Sequence, residues 1–207
     1  SPSWELDVDG DIGLAEYIYH RGDTDTFIKF GDDAITLKAG GKSMFKASAS
    51  VGSIFVNNGG HDIDFVVRNA VTGTLLFADA GNSRVGINNG APTEALDVSG
   101  TVRNNGGVYR KVRDEGSTNN ITTSDYVIRC IQNGAITLTL PTRSNNAGQI
   151  VIIKDALGNA GSPNNRTITI AAATNETVDG QANTVINMNH GFATLICDGI
   201  NGWMRIG

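Results

Sequence analysis

The side chains best able to do chemistry in this 207-residue chain are few and scattered. It has three histidines, His20, His61 and His190, and two cysteines, Cys130 and Cys197. No histidine falls in an HExxH pattern, which sets two imidazoles on one helix face for zinc hydrolysis. The cysteines lie far apart and make no metal-ligand spacing. Each follows an aliphatic residue at strand period (Ile128 before Cys130, Leu195 before Cys197), so both read as small core hydrophobes. A disulfide between them stays open at this level. In DVDGDIG, Asp7, Asp9 and Asp11 match the first ligands of a calcium loop. However, Ile12 stands where that loop needs glycine, and Ile18 where it needs a bidentate glutamate. Turn acids are the better reading. HRGD, residues 20–23, reads as a turn after a short β run. There is no GxSxG elbow and no P-loop. GNAGSPNN precedes a strand and not the helix N-terminus that phosphate binding uses. The acid pairs Asp32-Asp33 and Asp114-Glu115 are adjacent, and adjacent strand residues point to opposite faces. Nothing here argues for catalysis, so no enzyme activity, cofactor or metal is expected.

The elements that must position these residues are short and β-rich. Gly59-Gly60, Asn89-Gly90, Asn133-Gly134 and Asn201-Gly202 are turn signals. Between the turns run alternating segments such as AITLTL, AITLK, DYVIRCI, QIVIIK, RTITIA and GFATLICD. No run carries a helical stripe; GLAEYIYHR comes nearest. An all-β chain follows. Texture changes at TVRNNGG, residues 101–107, which reads as a linker. Three parts are therefore expected: 1–12, the end of an upstream repeat module; 13–107, a repetitive β region with its linker; and 108–207, a second β domain. The repeat signal is an echo of SPSWELDVDG, residues 1–10, in APTEALDVSG, residues 91–100. Pro2, Leu6, Asp7, Val8 and Gly10 recur as Pro92, Leu96, Asp97, Val98 and Gly100. A looser echo relates TDTFIKF, 24–30, to DIDFVVR, 62–68. Such repeats bury their apolar faces against neighbours.

Charge divides along the same line. Residues 1–100 carry 7 Lys/Arg and 14 Asp/Glu, against 9 and 7 in the remainder. The acidic half argues against a nucleic-acid partner. Arg103, Arg110, Lys111 and Arg113 form a short basic cluster that reads as solvated surface or subunit contact. No apolar run is long enough for a membrane helix, so no membrane insertion is expected. The first hundred residues offer only a thin, dispersed set of large apolar side chains. One chain would struggle to enclose them and would leave its strand edges open. Association of several copies about an axis solves both problems, and a trimer is the most economical.

NSRVGINNGAPTEALDVSGTV, residues 82–102, resembles the RVGI…P…LDVSG repeat of bacteriophage and cyanophage fibre proteins. The residues that carry it are Arg84, Val85, Gly86, Ile87, Pro92, Leu96, Val98 and Gly100. Residues 17–47 resemble the segment that follows such a repeat in cyanophage virion proteins. The C-terminal hundred residues resemble a domain found at the ends of phage fibres, through DYVIRC, TLTLP, IIKDALGNAG, TITI, TVDG and DGINGW; the last carries one extra residue before Trp203. The resemblance spans nearly the whole chain. It implies an all-β fold of elongated trimeric shaft modules followed by a C-terminal β-sandwich-like knob. It implies a homotrimer on the virion surface, attached to other virion proteins upstream, with a host-surface glycan or protein as partner. A tail fibre for host attachment is the leading expectation. A capsid decoration or head fibre and a polysaccharide-degrading tailspike are the alternatives, and a cellular trimeric adhesin a weaker one. The family supplies no binding residues to carry over. The polar loops 142–148, 158–166 and 187–191 offer the candidate receptor contacts: Asn145, Asn146, Asn159, Asn164, Asn165, Asn189 and His190. Trp203 is expected in the core. The opening echo suggests a cut edge, with a further RVGI-like strand expected upstream of residue 1.

Overall fold

A computed structural model describes residues 8–207. Residues 1–7 of the opening phrase, with Asp7 of the calcium-like stretch, lie outside the described residues. The protein is all-β, with four sheets and no α-helix among the described residues. It divides into two compact units, Ser1–Arg103 and Asn104–Gly207.

The first unit holds two sheets. One is an antiparallel meander of β1 (Tyr17–His20), β2 (Asp23–Gly31), β3 (Ala34–Ala39), β4 (Lys42–Ser48) and β5 (Ser53–Val56). The helix candidate GLAEYIYHR is thus partly strand, because Tyr17 to Tyr19 pair across to Lys29, Ile28 and Phe27. The β3–β4 hairpin turns on Gly40-Gly41, both at positive φ (54° and 72°), the geometry that matches the strand twist. Register puts Ile18, Ile28, Leu37, Phe45 and Val56 in one cross-strand row, and Phe30, Ile35, Ala47 and Ile54 in the next. Both rows share a face, because every second residue does. The other face carries Tyr17, Lys29, Thr36, Lys46 and Phe55.

The second sheet runs β6 (Phe65–Arg68), β7 (Thr74–Asp79), β8 (Arg84–Ile87) and β9 (Leu96–Val98), the last pair parallel. Its rows are Phe65, Ala78, Val85, Leu96 and Val67, Leu76, Ile87, Val98, again entirely apolar on one face. The 24–30 and 62–68 echo is not a structural repeat. Phe27 lies on the lysine-bearing face of its sheet, whereas the matching Phe65 lies on an apolar face.

The second unit is built differently. One sheet has the order β10 (Val112–Glu115), β12 (Val127–Cys130), β14 (Ile150–Asp155), β18 (Phe192–Cys197), β19 (Gly202–Arg205) and β16 (Thr177–Val178). The other has β11 (Asn119–Asn120), β13 (Ile136–Thr139), β15 (Ile168–Ala171) and β17 (Asn183–Ile186). From β10 to β15 the chain alternates between the sheets, and each strand lies parallel to the one two steps earlier. Antiparallel β17, β18 and β19 then close the unit. One cluster fills the interior, including Ile128, Leu138, Ile153, Ile168, Leu195 and Trp203. Trp203 donates its indole N–H to the Pro141 carbonyl at 3.0 Å, so its one polar atom is satisfied inside. Cys130 and Cys197 are both buried and free, which resolves the open disulfide question for this structure. Among the described residues, the buried hydrophobic cluster belongs entirely to the second unit.

Candidate functional site

The loops flagged by the sequence gather in two places. The first is organised by Asp155, the last residue of β14, which is wholly buried. Its carboxylate accepts backbone N–H bonds from Gly158 (3.2 Å), Ala160 (3.0 Å) and His190 (3.1 Å). A buried carboxylate is tolerated only when so satisfied, and here that need ties loop 158–166 to loop 187–191. Asn189 adds two bonds, accepting from Gly161 N–H and donating to the Ser162 carbonyl, both at 2.8 Å. The Lys154 ammonium donates to the His190 carbonyl. Gly158 lies so close under the His190 ring that a Cβ there would stand 2.3 Å from Nε2. Four of the candidate residues, Asn164, Asn165, Asn189 and His190, are exposed on this joined surface. The fifth, Asn159, is buried and donates to the Gln132 carbonyl at 2.9 Å, so its side chain serves the fold.

The second place follows Pro141. A 3₁₀ turn, Arg143–Asn145, presents Asn145 outward. Asn146 is buried and donates to the Thr142 carbonyl at 2.6 Å. Neither asparagine bonds to the Asp155 loops. Beside the turn lies an open cleft of about 680 Å³ lined by Arg143, Asn175, Asp179, Asp198, Asn201 and Met204, among others. Its acids are structural anchors. Asp198 accepts from the backbone N–H groups of Gly202, Ile200 and Asn201, and these bonds hold its carboxyl below the usual range. Asp179 accepts the Arg205 N–H at 3.3 Å. Glu176 takes the Arg143 N–H at 3.0 Å and faces its guanidinium at 3.6 Å.

The basic cluster separates into distinct roles. Arg103 ends the first unit. Arg113 is drawn inward, with Nε 2.9 Å from Asp125 and Nη1 2.7 Å from Glu115. Burial, the largest influence on both acids, pushes them up. The hydrogen bonds outweigh it: Arg113, Asn119 and Ser117 bring Glu115 to about 2, and Arg113 and Thr122 bring Asp125 to about 2. No local pattern signals this network, since its members are 2 to 12 residues apart and β10 is one short strand. Lys111 and Arg110 remain toward solvent.

The 82–102 motif forms a small closed arch in the first unit. Arg84 Nη1 reaches the Pro92 carbonyl at 2.9 Å, and Asp97 accepts from Thr93 N–H and hydroxyl at 3.0 and 3.1 Å. Gly86 admits the Asn89 carbonyl, which a Cβ would meet at 2.1 Å. RGD occupies the β1–β2 hairpin, with Arg21-Gly22 as its loop and Gly22 at φ +82°. Asp32-Asp33 likewise form a turn and not a strand pair, with Asp33 at φ 54°. Among the described residues, no group of three or more His, Cys, Asp or Glu is arranged to hold a metal. No known protein family matches the chain, and no curated protein matches it either.

Proposed function

We propose that this chain is a structural fibre protein of a bacteriophage virion, infecting cyanobacteria or a similar aquatic host, that works as a homotrimer and attaches the particle to the host surface. One observation carries the self-association. Each sheet of the first unit has two adjacent apolar cross-strand rows on one face, and residues of those rows stay open: Ile54 is 70% and Leu96 62% exposed. The second unit, of nearly equal length, encloses one buried apolar cluster of its own, although Met188 and Ile200 remain outside it. Apolar burial contributes roughly 25 cal/mol per Å². A unit that leaves two such faces in water forgoes most of that stabilisation, whereas copies joined face to face recover it. In this reading the first unit is a shaft module, which assembles through its apolar faces. The second unit is the terminal knob, a two-sheet sandwich that needs no partner to fold. Attachment is the resemblance-based part of the reading. Several weak sites on one trimer then act together.

Two measurements test it. Sedimentation equilibrium of the purified chain is expected to give three times 21.8 kDa; a single-chain mass in native buffer overturns the assembly. Antibody labelling of intact particles is expected to decorate the tail. Label on the capsid faces alone replaces the tail assignment with a head fibre. Release of oligosaccharides from host surface polysaccharide would make the protein a tailspike hydrolase.

A further inference from the structure

Five Asn-Gly pairs occur in the chain: Asn58-Gly59, Asn89-Gly90, Asn105-Gly106, Asn133-Gly134 and Asn201-Gly202. Such pairs make turns, and they also have a covalent chemistry of their own. Glycine has no Cβ to shield its amide nitrogen, so that nitrogen can reach the side-chain carbonyl carbon of the asparagine before it. The approach requires the backbone to rotate out of its native conformation. Hydrogen bonds and packing that pin a pair therefore suppress the reaction.

Four of the pairs are pinned. The backbone N–H groups of Asn201 and Gly202 both donate to Asp198 Oδ1 at 2.9 Å, and Gly202 is buried against the Thr177 backbone. Asn89 commits its Oδ1 to the Ala91 N–H at 2.9 Å, and its carbonyl lies against Gly86. Asn58-Gly59 is the middle of a turn closed by the Gly60 N–H on the Asn57 carbonyl at 3.1 Å, with the His61 ring against Gly59. Asn133-Gly134 is exposed but short of slack. Gln132 before it is buried and donates to the Arg166 carbonyl, and Ile136 after it donates to the Thr167 carbonyl at 3.0 Å.

Asn105-Gly106 differs from all four. Both residues are exposed. Among the described residues, hydrogen bonding stops at the Gly100 N–H and resumes at the Lys111 carbonyl, which accepts from Val127. A Cβ built on Gly106 or on Gly107 would meet nothing within 4 Å. No bond or contact therefore fixes the pair against rotation.

We propose that Asn105 is a site of spontaneous deamidation, and that the fold directs the reaction there by pinning the other pairs. The Gly106 nitrogen bonds to Asn105 Cγ and the Cγ–Nδ2 bond breaks. Nδ2 leaves as ammonia, carrying the proton that the Gly106 amide gives up. Water then opens the cyclic imide at either carbonyl, giving aspartate or isoaspartate, with no oxidation or reduction. Both products place a carboxylate two residues from Arg103, and isoaspartate reroutes the main chain through the side chain. Strands β9 and β10 end and begin outside this stretch, so the sheets are untouched. The proposal does not rest on the fibre reading.

The test is a time course of the full chain in warm neutral buffer, run folded and in guanidinium, with each Asn-Gly peptide quantified by mass spectrometry. The denatured chain gives each pair its own reference rate. Folded Asn105 is expected to react within about twofold of its reference, and Asn58, Asn89 and Asn201 about tenfold or more below theirs, because they react only from a local opening. Asn133 should lag behind Asn105. An isoaspartyl methyltransferase, which marks only the rearranged product, should label residue 105 first. Gly106→Val sets a branched side chain beside the attacking nitrogen where a Cβ meets nothing, so circular dichroism should be unchanged while reaction at Asn105 is lost. Folded-state protection of about tenfold or more at Asn105 overturns the proposal. So does any other pair that keeps its reference rate as fully as Asn105, or a Gly106→Val chain that reacts there as fast as the parent.

Discussion

Arg113 joins two buried carboxylates, and its removal leaves both inside without their cation. Losing one partner of a buried ion pair costs about 3–5 kcal/mol. Arg113→Ala is expected to lower the urea-unfolding free energy by that amount, read at pH 7. The same groups set an acid limit. Glu115 and Asp125 have folded pKa values of about 2, below their ordinary 4.5 and 3.8. A depressed carboxylate stabilises the fold fully above its unfolded pKa and loses that contribution as pH falls through the folded value. Stability of the second unit should be flat from pH 7 to 5 and fall from pH 4.5 to 2, by roughly 3–5 kcal/mol for the shared pair. A flat profile down to pH 2 would contradict this. The cysteines give a third check. Cys130 is wholly buried and its thiol is pushed up to about 12 by burial, with Asp155 and Glu115 adding to it. Neither cysteine should react with Ellman's reagent until denaturant is added.

At the scale of elements, the β8–β9 arch and strand β19 show how the two units solve closure. The arch depends on Gly86, because no Cβ fits beside the Asn89 carbonyl. Gly86→Ala should displace the loop and cost about 1–3 kcal/mol, the usual penalty of overpacking. Strand β19 closes the second unit by pairing with both β18 and β16 and by driving Trp203 into the core. Trp203→Ala is expected to destabilise by about 3–5 kcal/mol. Trp203→Phe should cost less, since it keeps most of the volume and loses the bond to Pro141. A thermal melt of both variants checks the ranking.

For the whole molecule, the division of the apolar residues matters most. The buried cluster lies in the second unit, whereas the apolar cross-strand rows of the first are only partly covered. Leu37 lies on central strand β3 in the apolar row, and Thr36 beside it points to the opposite face. In the proposed trimer, Leu37→Lys places a charge inside the interface, at a cost of several kcal/mol per copy. Its sedimentation mass is expected to fall toward 21.8 kDa, while Thr36→Lys keeps the assembled mass. If both variants sediment alike, assembly does not use this face.

Alternation such as AITLK and AITLTL, with Gly and Asn turns between, made the β class and the positions of β3, β12, β13, β14, β15 and β18 legible, because a period of two is local. The turn at Arg21-Gly22 was legible in HRGD for the same reason. The buried Cys130, Cys197 and Trp203 were readable from strand period alone. Pairing was not. Parallel neighbours in the second unit are joined through strands of the other sheet, so no local pattern states their register. The inward turn of Asn146 and Asn159 and the drawing together of Asp125, Arg113 and Glu115 likewise follow from loops meeting in space. So does Asp155, whose three N–H donors come from two separate loops. The sequence by itself determined which residues are apolar and at what period. Only the tertiary structure decided which of those faces close on their own chain and which stay open, because burial depends on what packs opposite.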